Sequence, residues 1–188
     1  AVVAAVGPSE PAPSPPDEAS SSPRPRFSLA ARGGVLVNGA AVLSPTAQLG
    51  FTARLPVWEN QLGLELRAGT YFAARDAALA GALVRARAHL VPLSLVVAWH
   101  QPLGDFGVKV GVGPAVQLAW AWVEGASSFA AAPGVEAVLG GWWRLGPGRL
   151  ELELGFLFSR FDDGAMALNA SGFGARLGYA VDFLEGRR

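Results

Sequence analysis

Glu151, Glu153, His89, His100 and Ser94 are the residues of this chain whose types and spacing could do chemistry. Two carboxylates that work on a glycosidic bond must face each other across it, whereas Glu151 and Glu153 are neighbours two apart on one extended face. With only two histidines, a metal site built from several imidazoles is excluded. A serine nucleophile at Ser94 needs a base within hydrogen-bond reach. The five-residue step from His89 puts the two on opposite faces of a strand, and His100 falls in a turn beside Pro102. Without a cysteine there is no disulfide framework, thiolate metal site or thiol nucleophile. Gly111-Val-Gly113 and Gly172-Phe-Gly174 have the glycines of a phosphate loop but not its strand-to-helix setting. Asp162-Asp163 read as a solvated turn. These residues imply no enzyme, no metal and no cofactor.

The elements that carry them share a period of two. Leu150, Leu152, Leu154, Phe156 and Phe158 alternate with Glu151, Glu153, Gly155 and Leu157, a strand with one apolar face. The same alternation runs through 61–72, 106–123 and 173–183, and no segment of comparable length has helical spacing. The pattern predicts eight strands at about 27–38, 45–56, 61–73, 82–99, 106–123, 129–144, 149–161 and 172–184. In the fourth, Arg85, Arg87 and His89 are out of phase with an apolar set of Leu93, Leu95, Val97 and Trp99, and a bulge near Pro92 is expected to restore the phase. Strands of this length exceed the usual five or six residues and suit a tilted membrane strand, which needs about 9–11. Stretches such as Val110–Val123 are too short or too rich in Gly and Pro for a spanning helix.

Composition agrees. Of 188 residues 51% are apolar and only 16% charged, and the formal net charge of zero gives no reason to expect a nucleic-acid partner. Residues 1–26 hold seven of the 14 prolines and no aromatic residue. They cannot bury enough apolar surface to offset ordering, so they are expected to be a mobile Pro/Ser-rich linker. A barrel over 27–184 and a short tail over 185–188 follow. The expected connections are tight at 57–60, 100–105 and 145–148 and longer at the other end, as at 75–81 and 162–169. That is the asymmetry of outer-membrane barrels, with the turns and both termini on the periplasmic side.

The aromatics sort by height. Trp58, Trp99, Trp143 and Phe183 fall at the turn end; Tyr71, Trp120, Trp122 and Phe158 fall at the loop end. Two such girdles are what a bilayer with two polar interfaces selects. Together with the closing Tyr179-x-Val181-x-Phe183, the eight alternating strands resemble the small outer-membrane β-barrels of the OmpA, OmpX and OmpW type. The resemblance implies an all-β, eight-stranded antiparallel up-and-down transmembrane barrel. It also implies contact with outer-membrane lipid in a Gram-negative bacterium, and the barrel-assembly machinery reading Tyr179, Val181 and Phe183. The tail after Phe183 departs from the usual aromatic end.

A barrel this narrow is filled by its inward side chains. The inward candidates are Arg32, Glu65, Arg67, Arg85, Arg87, His89, Lys109, Glu136, Arg144, Glu151, Glu153, Arg176 and Asp182. Enclosed charges must be paired or hydrated, so this set is expected to form a salt-bridged plug. The leading function is a structural or interaction protein tethered to a periplasmic partner through residues 1–26, which at full extension reach roughly 80 Å. The alternative is a narrow channel or transporter for small or amphiphilic solutes. Surface adhesion follows, then a lipid-modifying barrel enzyme of the kind that pairs a His with a nearby Ser. A soluble lipocalin-type barrel would carry the apolar face inside.

Overall fold

A computed structural model describes residues 26–38, 43–79, 82–123, 126–162, 167–169 and 171–183. All but Arg26 of the expected linker, Asp163, Leu184 and the 185–188 tail lie outside the described residues, and so do the side chains of 73–86, Arg85 among them. The strands are β1 (Arg26–Asn38), β2 (Leu43–Arg54), β3 (Leu62–Leu79), β4 (Ala82–Leu103), β5 (Phe106–Val123), β6 (Ala126–Leu145), β7 (Gly148–Asp162), β8 (Ala167–Asn169) and β9 (Gly172–Phe183). Eight form the wall; the three-residue β8 pairs with the end of β7.

Every neighbour is antiparallel, and β1 pairs with both β2 and β9, so the sheet closes on itself. A hydrogen-bonded circuit from Phe27 through Ala53, Leu64, Val97, Val112, Ala137, Phe156 and Phe173 returns to β1 at Val37, ten residues on. That stagger tilts the eight strands by about 35–45°. Both ends of the wall, Arg26 and Phe183, lie beside the tight turns.

The turns follow from their residues. Gly104-Asp105 and Gly146-Pro147 each join paired strands, with Gly104 at φ 73° and Gly146 at φ 59°, the positive values a two-residue hairpin needs at its first position. The turn after β2 places Trp58, Glu59 and Asn60 at φ 45°, 55° and 63°, a left-handed run that costs side chains about 1–2 kcal/mol per residue. It brings Trp58 against Trp99 with ring centres 5.6 Å apart.

Two expectations about the strands are corrected. The β3–β4 and β5–β6 hairpins continue pairing to Leu79↔Ala82 and Val123↔Ala126, so residues 75–79 of the segment read as loop are strand, and so are residues 126–128 ahead of the expected sixth strand. Residues 75–79 and 126–128 lack the apolar alternation of the band, yet neither stretch holds a Gly or Pro that would stop the ladder. There is also no bulge at Pro92. The β4 register with β3 and with β5 is the same above and below it. Leu93, Leu95, Val97, Trp99, Arg87 and His89 therefore share one face, the outer one, and the polar pair lies where that face leaves the apolar band.

Outward positions form that band. Leu29, Leu49, Leu66, Val97, Val110, Leu139, Leu152 and Leu177 are all about half exposed on the outer surface. Between Arg87 and Arg160 at one end and the tight turns at the other, no outward position among the described residues carries a charge. On β4 and β7 the stretch covers nine residues, 91–99 and 150–158, the length a tilted strand needs to cross hydrocarbon.

Candidate functional site: the barrel interior

Seen from inside, the wall is polar at its centre because inward positions alternate with the lipid-type set. Arg32 on β1 donates to Glu151 (2.7 Å) and Glu65 (2.6 Å). Arg67 on β3 holds both oxygens of Glu153, each at 2.9 Å, and donates to Glu65 at 2.8 Å. Arg176 on β9 reaches Glu136 (2.9 Å) and Glu153 (3.0 Å), and Lys109 on β5 reaches Glu153 at 2.8 Å. Ser94 on β4 donates to Glu136, and Gln48 on β2 accepts from Arg32 and Arg176 at 3.3 Å. Every wall strand contributes. Four carboxylates, Glu65, Glu136, Glu151 and Glu153, meet four cations, Arg32, Arg67, Lys109 and Arg176, all buried. Isolated, each would be very costly to enclose; bidentate Arg–carboxylate geometry and shared partners offset that cost. The arrangement ties strands to one another across the bore.

The two ends of this network differ. Toward the loop end Leu36, Tyr71, Leu90, Ala119 and Ala132 pack into an apolar layer, into which Gln117 reaches to donate to the Tyr71 hydroxyl. Toward the termini Arg149 on β7 donates to Glu151 (2.8 Å), Asp182 (2.5 Å) and Ser28 Oγ (2.9 Å). Beyond it Trp142 on β6 lies across the bore, flat on its strand neighbour Gly107, where any Cβ would overlap the indole. The Arg54 guanidinium stands 6.0 Å from the Trp142 ring centre.

Of the thirteen inward candidates, Arg32, Glu65, Arg67, Lys109, Glu136, Glu151, Glu153 and Arg176 come together in the central network. Asp182 sits at the termini mouth, half exposed, on Arg149. Arg144 reaches only that mouth, exposed and away from Glu151, which Arg149 and Arg32 hold instead. Arg87 and His89 are corrected to the outer face. His89 stacks on Phe72 at 4.5 Å, with Trp120 at 5.9 Å, because the unbulged β4 keeps the phase of its lower half. Arg85 lies opposite Asp76 in the β3–β4 register. Among the described side chains of β3, Glu65 reaches β1 and β5 and Arg67 reaches β6 and β7 across the bore.

Among the girdle residues Trp58, Trp99, Trp143 and Phe183 lie on the outer surface at the turn end, where Phe106 stacks on Trp143 at 5.2 Å. Trp120, Trp122 and Phe158 are outward on the loop-side half. Tyr71 is the exception, inward and 1% exposed. It has the odd-numbered parity of Glu65 and Arg67, a signal the sequence already held. Arg149, Gln48 and Arg54 are inward residues that the sequence reading missed. Arg149 and Arg54 sit at strand ends where alternation has barely begun; Gln48 carries no charge to flag it. His100 is on β4 rather than in a turn, buried, with neither ring nitrogen partnered among the described residues.

No protein-family model and no curated protein matches the chain in sequence. Solved structures do match in shape. A major outer membrane protein from Thermus thermophilus superposes with TM-score 0.63 at 18% identity, covering 85% of this chain and 99% of that one. The fold is that of the small outer-membrane β-barrels. Neisserial surface protein A gives TM-score 0.58 at 12% identity over 85% and 97% of the two chains. The N-terminal barrel domain of Pseudomonas aeruginosa OprF gives 0.53 at 14%, over 85% and 100%. An eight-stranded transmembrane barrel of this type thus has its interior bridged by ion pairs.

Proposed function

We propose that the chain is an integral outer-membrane barrel acting as a structural and interaction protein, held to a periplasmic partner by residues 1–26. The observation that carries this reading is the neutral network of four carboxylates and four cations across the bore, which favours a strut over a conduit. Placement of both wall termini beside the tight turns supports a periplasmic position for the termini, since tight turns face the periplasm in such barrels. Tyr179, Val181 and Phe183 on the outer course of β9 are the residues the barrel-assembly machinery would read. Deleting residues 1–25 tests the tether. The barrel should still fold, and cross-linked periplasmic adducts seen with the full chain should disappear; an unchanged set of adducts would overturn it.

A narrow channel is the second reading, and Lys109 supports it. Its ammonium lies within 4 Å of Glu65, Glu151 and Glu153, so it could exchange partners without crossing a gap. Planar bilayers decide between the two. The strut stays silent, whereas the channel shows discrete steps that change with Glu151→Gln.

A further inference from the structure

The geometry points to a binding site for a phosphate group inside the termini-side mouth of the barrel, with Arg54 and Arg144 as its principal cations. The mouth is a cavity of about 40 Å³ lined by Arg26, Arg54, Arg144, Arg149, Trp142 and Asp182 among others. It opens outward into a vestibule of about 440 Å³ that shares Arg26, Arg144 and Asp182. Among the described residues of this lining the one carboxylate, Asp182, is taken by Arg149 at 2.5 Å, which leaves Arg54 and Arg144 without one.

The imbalance is local. A few ångströms deeper the same lumen matches each cation with a carboxylate, so the arginines at the mouth are not surplus for want of space. Arg54 is half-buried on the last residue of β2, and its only close partner among the described residues is the Trp142 ring. Neither it nor Arg144 has a carboxylate within 4 Å among the described residues. A half-buried cation with like charges around it is held at a cost that an anion would relieve. The Trp142 side chain lines the same cavity, and its buried indole N–H has no hydrogen-bond partner among the described residues.

The charge selects the ligand. A lone carboxylate brings one negative charge; a phosphate monoester brings about −1.5 to −2 near pH 7 with three acceptor oxygens. Guanidinium forks suit that tetrahedral group, and the cavity has room for about three waters' worth of atoms. Free phosphate and a phospholipid headgroup share this chemistry. The site depends on the barrel interior alone and stands whether or not residues 1–26 act as a tether.

The test uses the full chain folded in an uncharged maltoside detergent. Calorimetric titration with inorganic phosphate is the first arm; native mass spectrometry with phosphatidylglycerol is the second. Saturable binding in either arm is expected, weakening at least tenfold in the Arg54→Gln/Arg144→Gln double variant, and falling as sodium chloride rises. Arg87→Gln, on the outer face at the opposite end, should bind as the parent does. Binding in the first arm assigns a free phosphate, and binding in the second alone assigns a headgroup. A compact unboiled gel band verifies that each variant is folded. No binding in either arm, or equal binding by the folded double variant, would overturn the site.

Discussion

The two ends of the lumen are built from the same strands with the same inward parity, yet among the described residues one is sealed and the other is open. Toward the loops, Leu36, Tyr71, Leu90, Ala119 and Ala132 cap the ion-pair network with apolar atoms. Toward the termini, Arg54 and Arg144 have no carboxylate partner among the described residues, and Trp142 is a ring laid over glycine. The difference separates two uses of buried charge. Balanced and multiply bonded, it fastens strands across the bore; unbalanced and half-exposed, it is held ready for something outside the chain.

That comparison breaks most sharply in the middle. Glu153→Gln removes the carboxylate that Arg67, Arg176 and Lys109 all share, and should destabilise the barrel by about 3–5 kcal/mol in urea unfolding from bilayers. On the neighbouring outward position, Leu152→Arg should cost about 2–4 kcal/mol in the same assay if that position lies at mid-bilayer. A Leu152→Arg effect near zero would mean that this surface meets water. Gly107→Ala forces a methyl into the Trp142 ring and should cost about 1–3 kcal/mol, with a change in near-ultraviolet circular dichroism from the displaced indole. Arg54→Gln is the smallest. Losing one cation–π contact while relieving like-charge crowding should shift stability by less than about 1 kcal/mol. A large loss there would show that the mouth is part of the fastening after all.

Much of this was legible because membrane strands write both faces into the sequence. Leu150 to Phe158 alone gives direction, face and span, and the charged members of the central network followed from parity. Tyr71 was equally legible by parity and was misplaced by its height among aromatics. Arg87 and His89 misled because polarity was taken to mean inward, whereas outward residues beyond the apolar band are also polar. What parity cannot supply is who meets whom. Glu65 finds Arg32 and Arg67, and Glu151 finds Arg149 rather than Arg144, through a ten-residue stagger and a bore narrow enough for opposite walls to touch. Strand-end residues such as Arg54 and Arg149 have too little alternation around them to be assigned a face.

The most direct test is gel mobility of the full chain from detergent-extracted outer membranes, run with and without boiling. A barrel with its apolar face in lipid and its charges locked inside should run as a compact, fast band unboiled and as a slower band once boiled. A chain recovered in the soluble fraction with a single band under both conditions would contradict the account, and would turn the outward leucines and valines into the lining of an interior pocket.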